Sequence, residues 1–239
     1  NTFGRLLVNK ALMHGHVGQG DAALRDAQEA LAIHTRAEDP VGQAWGALAV
    51  GFYHQFCASD YPKAAVWYAR ARDGFSAADR GPEGVLTELF LTHTAMYQGD
   101  LETAETRCLR TLLRAREVGA PMCESAAAHT RAEIECRRGR YGLATRRLSE
   151  ALLLHRRVRN PGHEALTLGN MAMVCEHGHD YALAYSYWVA MVPIEVRLGR
   201  QAGWPELMAG KCAELLGRRR DARRWYAASM DRYSGRSNE

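Results

Sequence analysis

Small and apolar residues recur along the chain at i, i+4 and i+7, the spacing that gathers side chains onto one face of an α-helix. The series opens at Ala23, Ala27 and Ala30 and returns at Ala64, Tyr68 and Ala71, at Ala104, Cys108 and Thr111, and at Ala144, Leu148 and Ala151. It closes with Ala184, Trp188 and Met191, then Ala222, Tyr226 and Ser229. The leading alanines are 41, 40, 40, 40 and 38 residues apart. Chance matches do not keep register through five intervals, so the chain is a repeat.

Twelve residues before each leading alanine stand Ala11, Phe52, Thr92, Ala132, Ala172 and Gly210. Small side chains there suit two helices that cross closely. Phe52 is the exception; Gly51 can take the crossing instead if the following turn is one residue longer. Gly18, Gly99, Gly139 and Gly217 precede the second helix of a pair, where a tight turn wants positive φ, while Ser59 and His179 replace glycine in two repeats. Asp39-Pro40, Gly81-Pro82, Ala120-Pro121, Asn160-Pro161 and Trp204-Pro205 mark where second helices stop, because the residue before proline avoids the helical region. The pattern predicts twelve helices in six hairpins, at about 1–39, 40–81, 82–120, 121–160, 161–203 and 204–234, within one domain spanning 1–239.

Composition agrees: Leu, Ala, Arg and Glu are abundant and Ile, Thr and Phe sparse, which favours helix. No apolar run approaches the roughly 20 residues that cross a bilayer, and no basic-then-apolar leader opens the chain, so no membrane contact is expected. The chain begins at Asn1 with a helical pattern already running at Phe3 to Leu7, as an excised domain would. Cys57, Cys108, Cys123, Cys136, Cys175 and Cys212 form no C-x-x-C pair and fall mostly at small repeat positions, pointing to reduced, core-filling thiols in a cytoplasmic protein.

The net charge of +4 is unevenly spread. Residues 137–159 hold eight arginines and one acid, and residues 218–236 hold seven arginines and two acids. Arg146, Arg147, Arg156 and Arg157 form a basic surface that suits water, an acidic partner or a neighbouring domain. Direct nucleic-acid binding wants a broader charge excess and a reading element, and neither is present.

The register resembles the tetratricopeptide repeat in a longer variant of about 40 residues. The resemblance implies an all-α fold, a right-handed α-solenoid of about six hairpins whose first helices line a concave groove. Carried onto this sequence, the lining comprises Ala49, Tyr53, Phe56 and Cys57; Leu89, His93, Met96 and Tyr97; His129, Glu133, Cys136 and Arg137; Gly169, Met173, Glu176 and His177; and Trp204, Leu207, Lys211 and Glu214. In the first repeat it offers Arg5, Asn9, Leu12 and His16. This mixture of aromatic, histidine and charged groups suits a small molecule or an extended peptide, or else its polar members pair with one another across adjacent helices.

His93, His129, Glu133 and His177 raise the question of a metal, but neighbouring helices stand about 10 Å apart, which strains shared tetrahedral coordination; neither metal nor cofactor is expected. Gly15-His-Val-Gly-Gln-Gly20 echoes a phosphate loop without the strand that should precede it. Acid–base chemistry by Glu133 and His129, four apart on one helix face, would need an enclosed groove and a proximity that sequence does not show, so an enzyme is not expected. The long repeat with its Ala- and Arg-rich composition is similar to the carboxy-terminal part of large actinobacterial transcription regulators, of the antibiotic-regulatory type or the ATP-binding LuxR type. That implies a sensing or interaction module; the alternative is a scaffold that docks an acidic partner through its arginines. A homodimer through a terminal hairpin is a further expectation, since end repeats need a covering face.

Overall fold

The computed structural model describes residues 2–200 and 203–234, and among these every regular element is helical. The helices are α1 (Thr2–His16), α2 (Gly20–Arg36), α3 (Pro40–Phe56), α4 (Tyr61–Ala77), α5 (Gly81–Tyr97), α6 (Leu101–Glu117), α7 (Pro121–Arg137), α8 (Tyr141–Arg157), α9 (Pro161–His177), α10 (Tyr181–Arg197), α11 (Trp204–Leu215) and α12 (Arg219–Ser234). The forty-residue period has a local origin. Helices α2 to α10 are each 17 residues long, and a three-residue turn completes a unit of twenty. The one longer turn among residues 2–200 joins α3 to α4, over 57–60, and it accounts for the interval of 41.

Each turn is built alike. One residue takes a left-handed conformation, which ends the helix by letting its amide reach back to the last free carbonyls. Gly18, Gly99, Gly119, Gly139, Gly199 and Gly217 do so without a Cβ, and Glu38, Ser59, Asp79, Arg159 and His179 do so despite one. The next residue often caps the following helix: Asp39, Asp60, Asp100, Asn160 and Asp180 accept from the backbone N–H three residues on, at 2.9–3.2 Å. Pro40, Pro121 and Pro161 open their helices, and Pro82 and Pro205 stand second, where a missing N–H costs nothing.

The repeat signature is the core. Ala23, Ala64, Ala104, Ala144 and Ala184 are at most 1 % exposed, and the +4 residues Ala27, Tyr68, Cys108, Leu148 and Trp188 are equally buried. Gly51 does take the crossing: a Cβ there would lie 2.7 Å from the Tyr68 ring, matching Gly210 against Tyr226 at 2.7 Å. The inserted turn residue lets Phe52 turn aside, where it meets Phe56 and Phe90 at ring separations of 4.5 and 6.1 Å.

The chain forms two compact units, Asn1–Ala127 and Ala128–Glu239, with the boundary inside α7. The first packs Ala44, Ala47, Leu48, Tyr68, Phe75 and Leu91 around the α3–α4 hairpin, and Leu7, Val8, Ala27 and Val50 beside it. The second packs Ala132, Leu148, Leu168, Met171 and Ile194, and then Ala172, Trp188, Met208 and Cys212. All six cysteines are free thiols. None of the described helices is long and apolar enough to cross a membrane.

Candidate functional site

In the first unit the lining positions are aromatic and open. Phe56 is 45 % exposed and Tyr97 40 % exposed, Tyr53 is half-buried beside His54, and His93 is half-buried within α5. Tyr61, the first residue of α4, stacks on Tyr97, the last of α5, with rings 5.7 Å apart and 13° from parallel. Ala49 and Leu89 are buried in the packing between first helices, where the Thr94 hydroxyl also donates to Gln55 Oε1 at 3.1 Å.

The second unit sorts its lining residues into two groups. His129 is interior: its Nδ1 is 2.8 Å from Thr167 Oγ1, its Nε2 is 3.2 Å from Asn170 Nδ2, and Glu133 Oε1 lies 3.7 Å away. Glu176 is equally committed, accepting from Trp188 Nε1 at 2.6 Å with Cys212 Sγ at 3.6 Å. These residues join α7 to α9 and α9 to α10 and α11. Arg137, Met173, His177, Trp204 and Lys211 are exposed. Tyr141 stacks on His177 at 5.1 Å and 11°, the same rung that Tyr61 and Tyr97 form one unit earlier. The signal for that rung was in the sequence, an aromatic three residues before the leading alanine facing an aromatic or histidine seven before the next one.

His129 and His177 therefore do not converge. His129 instead meets His155 and His163, with ring centroids 5.9 and 6.5 Å away, and those two lie 5.2 Å from each other. Among the described residues no group of three His, Cys, Asp or Glu is arranged to hold a metal ion. Burial, with His129 and His163 alongside, depresses the His155 imidazole to about 3, and burial beside His129 lowers His163. His155 is therefore neutral at ordinary pH.

Arginines of both basic stretches, and Arg200 between them, are partly spent on buried acids. Arg140 holds Glu135 at 2.9 Å, Arg200 holds Glu195 at 3.1 Å and Arg232 holds Glu206 at 2.9 Å. Arg147 pairs with Glu150 and Arg156 with Glu164. Arg146 and Arg157 are exposed on α8. Arg236 lies outside the described residues.

No family profile matches the chain, and no curated protein is similar to it. Solved structures are. A Rap protein complexed with competence and sporulation factor superposes with a TM-score of 0.76 at 13 % identity, over 97 % of this chain and 70 % of that one. The Rap conjugation gene regulator of plasmid pLS20, in complex with the Phr* peptide, gives 0.67 at 12 % identity over 96 % and 74 %. A signal transduction ATPase with a tetratricopeptide repeat sensor, from Pyrococcus horikoshii, gives 0.72 at 14 % identity over 96 % of this chain and 35 % of that one. The fold is that of tetratricopeptide-type helical repeats. At these identities the likeness speaks for the fold alone.

Proposed function

We propose that the chain is an interaction module that binds an extended peptide, or an extended segment of a partner protein, on the face of its first helices. The observation that carries this reading is the location of the exposed aromatics. Of the exposed aromatics among the described residues, Phe3, Phe56, Tyr97 and Trp204 stand on first helices and Tyr141 is stacked on one, with Tyr233 of α12 the exception, whereas exposed aliphatic residues are scattered over both kinds of helix. Aromatic faces supply contact area at low entropic cost, and in the second unit the exposed polar groups Arg137, His177 and Lys211 of first helices give orientation. Two of the structurally similar proteins support it by analogy, one solved with a peptide and one described as carrying a repeat sensor. In this reading the chain binds and does not catalyse, and it serves as the sensing or docking part of a bacterial transcription regulator.

Peptide display against the purified chain tests it. Peptides selected on the wild type should bind Phe56→Ser/Tyr97→Ser at least tenfold more weakly, while the chain stays folded with a modest loss of thermal stability, because each ring is partly exposed but also packs on Phe52 or Tyr61. Selection that enriches nothing, or peptides indifferent to the substitution, would sink the reading. The second reading, docking of an acidic partner, rests on the exposed Arg146 and Arg157. It predicts binding that fades with salt and is lost in Arg146→Glu/Arg157→Glu.

A further inference from the structure

The joint between α4 and α5 lacks a device that the α6–α7 and α8–α9 joints share. At the α6–α7 joint Arg116 Nε donates to Glu124 Oε1 at 2.7 Å, and at the α8–α9 joint Arg156 Nε donates to Glu164 Oε1 at 2.8 Å. Each arginine stands twelve residues after a leading alanine, and each glutamate is the fourth residue of the next first helix. The same two positions at the α4–α5 joint hold Ser76 and Gly84. Two long side chains are replaced by a hydroxymethyl group and a hydrogen. A cavity of about 840 Å3 opens there between α4, α5 and α6, with Ser76 and Gly84 in its wall. A Cβ on Gly84 would meet nothing within 4 Å.

Five arginines line this cavity against three acids. Glu88 is shared by two of them, its oxygens lying 3.2 Å from Arg72 Nη1 and 3.2 Å from Arg107 Nη1, which holds both guanidinium groups across the cavity. Arg110 and Arg114 continue the row along α6 at helical spacing from Arg107. Arg114 reaches outward to Glu117, and Arg110 makes no ion pair among the described residues. The hydroxyls of Ser76, Thr103 and Thr106 complete the wall.

We propose that this cavity binds a small organic anion, with Arg107 and Arg110 of α6 gripping its carboxylate or phosphate oxygens and the hydroxyls orienting the rest. Guanidinium forks match both oxyanions in a two-point geometry. A volume of this size falls within the roughly 300–1,000 Å3 of small-molecule sites. The wall is built from second helices and the start of α5, so the site is separate from the first-helix face and does not depend on the peptide reading.

Calorimetric titration of the 239-residue chain with citrate and with pyrophosphate tests the site, the two probes separating a carboxylate ligand from a phosphate one. At least one should bind saturably at a single site, and Arg110→Ala, at an exposed position, should weaken it about tenfold. The decisive variant restores the missing pair, Ser76→Arg/Gly84→Glu. It leaves net charge unchanged and uses a pair already tolerated at two other joints, so thermal stability should be kept while binding disappears. Saturable binding by neither probe at millimolar concentration would overturn the proposal, as would undiminished binding in the refilled variant. Should that variant fold poorly, the Arg110→Ala titration alone decides.

Discussion

The repeat position eleven residues after the leading alanine shows how one backbone site accepts very different side chains. In the first five repeats it holds His34, Phe75, Ala115, His155 and Glu195, all of them buried. Where the residue is polar, the turn five residues on can supply a partner: His34 Nδ1 is 2.9 Å from Asp39 Oδ2, and Glu195 Oε1 accepts from Arg200 at 3.1 Å. His155 lacks one, because Asn160 caps α9 and its amide lies 3.0 Å from His163 Nδ1, leaving both His155 ring nitrogens without a hydrogen bond. An unmatched buried polar group costs about 1–3 kcal/mol. Replacing it as the α4 position already does, His155→Phe, should raise stability by about 1–2 kcal/mol, read as a thermal shift of several degrees. The sign with pH follows from the depressed imidazole. The unfolded chain takes up the proton near 6.5 and the folded one only near 3, so stability is full above pH 6.5. It then falls as pH drops, by up to about 1.4 kcal/mol per pH unit. The Phe variant should lose part of that slope and His163 should retain some; equal slopes in urea titrations at pH 5 and pH 7 would contradict this account.

At the scale of the element, the turns were legible in part. Glycine at 18, 99, 139 and 217 announced the left-handed residue, but Arg159 and His179 adopt it too, with φ of 54° and 60°. Local preference is overruled there because the 17-residue helices on either side are fixed by packing, and only one backbone path joins them in three residues. A left-handed non-glycine residue carries a cost of about 1–2 kcal/mol, and glycine brings back roughly half of it in chain entropy. Arg159→Gly should therefore raise the urea midpoint by an amount worth about 0.5–1 kcal/mol, and the reverse change at the matching turn, Gly119→Arg, should lower it comparably. Two shifts of the same sign would refute the shared turn geometry.

Across the whole molecule the six thiols report whether the repeat is packed as described. Three are buried and three half-buried; burial, with Glu176 adjacent, pushes the Cys212 thiol up to about 12, and burial near Glu133 and Glu135 pushes Cys136 up to about 11. A thiol-reactive dye at pH 8 should label the native chain slowly and all six cysteines at once in denaturant; a native burst of several equivalents would show the core to be open. The sequence by itself determined the helices, their pairing and the close-packed stripe. Those depend on side-chain size at fixed helical spacing, and Ala64, Tyr68 and Ala71 carry that information wherever their neighbours are. The tetratricopeptide resemblance put Phe56 and Tyr97 among the lining positions, and both are exposed, but it put Ala49, Leu89 and Met96 there too, and these are buried. Tertiary structure alone decided that His129 is interior, that His155 and His163 join it, and that Ser76 and Gly84 leave a cavity. Each of these depends on how long side chains from different helices share one volume, and a missing atom in one repeat is visible only against the pair that fills the same place in another.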